Sequence, residues 1–143
     1  IMAWAKTSVN GWLVATETVT GDDTNDVSTS AIDFLEPGVD FTVISNAAAT
    51  NLTNDADVDV DICDTIDGTY TLLSADLETT IDAAVKSSLY DVSANGEAPF
   101  YKLRVDVDGD INNETVKFVV MQKQGNSLQG MSGDIGGVGT DPS

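Results

Sequence analysis

Apolar and polar residues alternate with a period of two along most of this chain. The pattern runs through GWLVATETV (11–19), VDFTVIS (39–45), ADVDVDIC (56–63), TYTLL (69–73), SSLYDV (87–92), FYKLRVDV (100–107) and TVKFVVM (115–121). Each run is short, rich in β-branched or aromatic residues, and bounded by Gly, Asn, Asp or Pro, which is how half-buried strands are written. STSAIDFL (28–35) is an eighth candidate. Strands at this spacing predict an all-β fold, an antiparallel β-sandwich or jelly roll of about 7–8 short strands.

Two segments break the alternation. SADLETTIDAAVK, from Ser74 to Lys86, starts on a residue suited to cap a helix. Asp76 and Glu78 follow in its first turn, and Leu77, Ile81 and Val85 share one helical face. It is expected to form one short helix crossing over the sandwich. From Gln124 onward the chain is Gly-rich and has no aromatic residue. The expected organisation is therefore a single β-sandwich domain over 1–123, including its N-terminal segment, followed by a tail or arm over 124–143.

With 143 residues, 41% of them apolar, the chain is long enough for one core. Charge changes the picture more. There are 24 acidic and 6 basic side chains, no histidine, and a net charge of -18. Nucleic acid is excluded as a direct partner, since phosphate binding relies on Lys and Arg, and an anionic membrane is disfavoured for the same reason. No apolar run is long enough for a membrane span, and no basic segment followed by an apolar one marks a signal peptide. Residues 1–85 hold one base and 16 acids, whereas residues 86–143 hold five bases and eight acids. A surface this acidic keeps particles dispersed but repels itself, so salt, a bound cation or a basic partner would relieve it.

The acidic clusters raise the question of calcium. Asp106, Asp108 and Asp110 occupy positions 1, 3 and 5 of an EF-hand count, but Ile111 and Lys117 stand where glycine and a bidentate glutamate are required. RVDVDGDINNETVKFVVM (104–121) is read instead as two antiparallel strands joined by a polar turn. Asp106, Asp108, Asp110 and Glu114 are left as weak candidates for a loosely held calcium ion. GGVGTD (136–141) matches part of a calcium-binding nonapeptide, a repeat that works only in tandem, and it occurs once. Asp57, Asp59 and Asp61 alternate with Val58, Val60 and Ile62, and are expected to line the water-facing side of a strand about 7 Å apart. No dedicated metal or cofactor site is expected.

Catalysis is hard to assemble from these residues. Without histidine there is no Ser-His or Cys-His relay, and no phosphate-cradling glycine loop followed by Lys and Ser or Thr is present. The lone Cys63 allows no internal disulfide and no cysteine-based zinc site. The chain is expected not to be an enzyme. Candidate partner contacts are Trp4, Trp12, Met131 and Ile135. Trp4, ahead of the first strand, is the expected docking residue, whereas Trp12 sits in an apolar run that suits a core.

The succession DGTYTLLSADL (67–77), helix, GEAPFYKLRVDVDG (96–109) and VKFVVM (116–121) resembles small β-sandwich virion proteins of tailed bacteriophages, many of which are capsid decoration (cement) proteins. The likeness covers residues 56–121 and carries no catalytic residues. It implies a homo-oligomeric structural protein of the capsid surface, extracellular in the free particle, whose partners are the major capsid protein and copies of itself. An adhesin or carbohydrate-binding module, on a tail fibre or cell surface, and a subunit of an extracellular filament are the alternatives.

Overall fold

The computed structural model describes residues 3–22, 24–47, 57–78, 85–106 and 115–124. Among the described residues nine strands and one short helix follow in the order β1 (Ala5–Val9), β2 (Trp12–Thr20), β3 (Val27–Ser28), β4 (Phe41–Ala47), β5 (Asp57–Cys63), β6 (Thr71–Glu78), β7 (Lys86–Tyr90), α1 (Val92–Asn95), β8 (Phe100–Asp106) and β9 (Thr115–Lys123). They form a five-stranded sheet, β1-β2-β9-β4-β7, and a four-stranded sheet, β3-β8-β5-β6. All pairs are antiparallel. The expected all-β sandwich is what the chain forms.

Alternation decides which residues meet between the sheets. Ala15, Val43, Phe118 and Val120 from one sheet pack with Val58, Val60, Leu103 and Val105 from the other, all of them buried. At one end Phe41 stacks on Tyr90 with ring centroids 4.8 Å apart, and Tyr101 meets both rings at 5.3 and 5.7 Å. Aromatic contacts of this kind contribute beyond the area they bury. Asp91 caps α1 by accepting hydrogen bonds from the backbone N–H groups of Ser93 and Ala94.

Several expectations give way. Residues 74–78 belong to strand β6, not to a helix, residues 79–84 lie outside the described residues, and Lys86 opens β7. Pairing with β5 prevails there over local helix propensity. The helix that does occur is α1, only four residues long. β8 and β9 do not form a hairpin: they lie in different sheets, so the chain crosses the sandwich between them. Within 28–35 only Ser28 joins a named strand, and Ile32 forms an isolated bridge to Tyr101. β1 was not anticipated. It pairs with β2 around Asn10 and Gly11, at φ 51 and 83°, the two positive values that a tight Asn-Gly hairpin turn requires.

The aromatic cluster leads to a test. Tyr90 is fully buried and donates a hydrogen bond to the carbonyl of Gly96 at 2.8 Å. Burial, helped by neighbouring Tyr101, pushes its phenol up to about 12 from an ordinary value of 10.0. Because the folded value is the higher one, the neutral phenol supports the fold below the ordinary value, and that support is lost as pH rises from there through about 12. Phenolate absorbance followed with far-ultraviolet circular dichroism should show Tyr90 ionising together with loss of strand signal. Ionisation at the ordinary value in a still folded chain would contradict this.

Candidate interaction face

The two outer faces of the sandwich are chemically opposite. On the four-stranded sheet, the register pairs Asp57 with Asp106, Asp59 with Arg104 and Asp61 with Lys102. The acidic side of β5 does point away from the core, but Asp59 and Asp61 are not water-facing: they are 4% and 6% exposed. Arg104 covers them. Its Nε donates to Asp61 Oδ2 at 2.9 Å, its Nη2 lies 3.1 Å from Asp59 Oδ2, and its Nη1 donates to Asp26 at 2.8 Å. The hydrogen bond to Asp61 holds the guanidinium above its usual ionisation range against the opposing effect of burial, and Asp26 and the charge of Asp59 add to it. A flat fork with several donors can serve three carboxylates at once, which a lysine ammonium at one point cannot do in the same geometry. Beside it Lys102 lies 4.5 Å over the ring of Tyr70.

The strand rows on the outer face of the five-stranded sheet carry no acid, and Asp40, just ahead of β4, borders them. Register places Val9, Trp12 and Lys123 in one row. Thr7, Val14, Met121, Thr42 and Leu89 make the next, and Ala5, Thr16, Val119, Ile44 and Ser87 the third. Thr18, Lys117 and Asn46 follow. Among the described residues of these rows there is no Asp or Glu, in a chain with 24 of them, and the only charges are Lys117 and Lys123. Val9, Trp12 and Leu89 are 49%, 40% and 61% exposed. Shallow hollows separate these side chains, one between Val9, Trp12, Val14 and Met121 and another between Trp12, Thr42, Leu89 and Met121, the latter also lined by Asp40 and Lys123. A contiguous apolar surface with few charges, set in a strongly charged protein, has the composition of an interface core.

The two tryptophans exchange the places expected of them. Trp4 is buried at 9% exposure, edge-on to Phe34, with its indole N–H donating to the carbonyl of Ser30 at 3.0 Å, so it belongs to the core. Trp12 is the exposed one. Phe118 and Tyr101 are buried, and Phe100 is half-buried. Asp106 ends β8, while Asp108, Asp110 and Glu114, like Met131 and Ile135, lie outside the described residues. Among the described residues no group of three or more carboxylate, thiol or imidazole side chains is arranged to hold a metal ion. The three carboxylates that do gather surround the Arg104 guanidinium.

The acid-free face could have been found from the sequence by parity. In β2 the even positions Trp12, Val14, Thr16, Thr18 and Thr20 carry no charge, and the odd positions carry Glu17. The sign of that clue misleads, because the charged parity is the inward one. Glu17 is 4% exposed, and one of its oxygens accepts the backbone N–H of Ser30 at 2.8 Å. Comparison with protein-family models, with curated proteins and with solved structures finds no match for this chain.

Proposed function

We propose that this protein is a non-enzymatic structural component of a bacteriophage virion, a decoration protein that binds the outer surface of the capsid shell and stabilises it. The observation that carries this reading is the acid-free outer face of the five-stranded sheet. A chain at -18 repels any surface that shares its sign, and it approaches a partner at least cost through the broad face whose strand rows carry no carboxylate, with Asp40 only at its border. Trp12, Val14, Met121 and Leu89 supply the apolar centre of such a contact, and Lys117 and Lys123 supply two positive points. The opposite face holds Asp26, Asp59 and Asp61 around Arg104, stays net acidic, and suits the side turned to solvent.

A sugar-binding platform is less well supported, since it needs a pair of aromatic rings on one exposed sheet face. Among the described residues this face has Trp12 alone. The resemblance to phage virion proteins agrees with the sandwich, while the helix and hairpin that formed part of it are replaced by β6 and by the β8 to β9 crossover. The test is electron microscopy of particles made with and without the protein, together with their heat stability. Loss of surface protrusions and a lower rupture temperature are expected without it, and particles unchanged in both respects would remove the proposal.

A further inference from the structure

The end of the sandwich that holds the aromatic cluster also holds a cleft of about 320 Å³. Its apolar floor is made by Ile32, Phe41, Val92 and Tyr101. Glu36 lines one side and Glu97 the other, and no lysine or arginine is among its lining residues. Glu97 reaches across: a Cβ at Gly38, on the opposite wall, would lie 3.4 Å from Glu97 Oε2. Glu36 and Glu97 therefore line one opening, with the Glu97 carboxylate lying over the Gly38 wall.

The two walls are fastened from within. Gln122, fully buried, accepts the backbone N–H of Glu36 at 2.7 Å and donates to the carbonyls of Glu36 and Val39 at 3.1 and 2.9 Å. On the other wall Tyr90 donates to the Gly96 carbonyl, and the Tyr101 hydroxyl accepts the Ala98 N–H at 3.0 Å. The cleft is thus held open by side chains of the core, which is the condition for binding without a large ordering cost. The charge of Glu97 is also felt at the floor, where it adds to burial in holding the Tyr101 phenol above its ordinary ionisation range, against the opposing hydrogen bond from Ala98.

An apolar floor under two carboxylates selects a cation that carries an apolar stem. A bare calcium ion would need six or more oxygens, which a floor of Ile, Phe and Val does not offer. Gly38 and Val39, in the wall of the cleft, also border the hollow beside Trp12 and Leu89 on the acid-free face. A protein seated on that face would have this opening at its rim. We propose that the cleft receives an arginine or lysine side chain of the partner protein that covers the face, with its alkyl stem on the floor and its charged head between Glu36 and Glu97. The identity of the occupant rests on the docking reading above, whereas cation binding by the cleft does not.

Two measurements test it separately. In the free protein, butylguanidinium should shift the amide resonances of Gly38, Val92 and Ala98 saturably. Guanidinium without a stem, butanol without a charge, and the E36Q/E97Q variant should each bind about fivefold more weakly or worse, a difference of about 1 kcal/mol. Shifts spread over the acidic surface, or equal binding by the variant, would overturn the cleft as a cation site. In particle binding, E36Q/E97Q should weaken attachment by about the same factor. Unchanged attachment of that variant, with butylguanidinium binding lost, would leave the docking reading standing and remove the partner's side chain as occupant. Failure of the wild-type protein to attach at all would remove both.

Discussion

Replacing Arg104 with alanine is expected to destabilise the fold by about 3–5 kcal/mol, the usual consequence of removing one partner from a buried ion pair. Asp59 and Asp61 are both buried on the same side of β5, about 7 Å apart along the strand. Without the guanidinium each would face the other's charge with little water to screen it. Urea denaturation of the single variant measures the loss. Arg104→Lys should recover only part of it, because one ammonium cannot reach Asp26, Asp59 and Asp61 in the geometry of the fork. A triple variant, R104M/D59L/D61L, should return close to wild type, since an apolar replacement of a whole buried ionic cluster is often neutral. A loss below about 1 kcal/mol for the alanine variant would mean that the cluster behaves as an ordinary surface ion pair.

The largest effect on attachment is expected at the acid-free face. Trp12→Ala should weaken particle binding by about 30-fold, the equivalent of roughly 2 kcal/mol for truncating an aromatic anchor. Placing carboxylates there with M121E/L89E should weaken it by about 100-fold or more, because each new charge must be stripped of water against a partner chosen for its absence. Leu89 is 61% exposed and Met121 only partly covered, so both variants should remain folded. The matching control is I66E/L72E, which adds the same two charges at exposed positions away from that face. Equal loss of binding in the control would make overall charge, not this face, the determinant.

The architecture was written in the sequence wherever two neighbours in a strand differ in kind. β4 and β9 show an unbroken alternation of buried and less buried positions, announced by Phe41 and Val43 in one and by Val116 and Phe118 in the other. The Asn-Gly pair at 10–11 would have marked the β1 to β2 turn had AKTSV not been so polar. What local pattern could not supply is the partner. Residues 74–78 have a helix-like spacing and become a strand because β5 offers a free edge. β8 and β9 follow each other as a hairpin would, yet join different sheets.

The candidate site was legible only in part, for a related reason. A sandwich strand has one parity inward, and β2 is apolar on both near its start, so nothing local chooses between Trp12 inside and Trp12 outside. The burial of Glu17 on the inward parity depends on the Ser30 backbone, and the burial of Asp59 and Asp61 depends on an arginine more than forty residues later. Charge alternation alone therefore predicts water where the chain has placed a guanidinium. The cleft is likewise assembled from three separate segments, and no single stretch carries its signature.

The position of β9 has a consequence for how the molecule comes into being. Among the described residues it is the last strand in sequence, and it lies at the middle of its sheet, between β2 and β4. Until residues 115–123 have left the ribosome, β2 has only β1 beside it and β4 only β7, each pair too small to be stable alone. The contacts that close the sheet span nearly the whole domain, which predicts slow folding with a late, all-or-none step. During synthesis the inner edges of two hairpin-like pairs stay open, and both are sites where a second nascent copy could insert its own ninth strand. That interval between the first strand and the last is when correct folding competes with domain exchange.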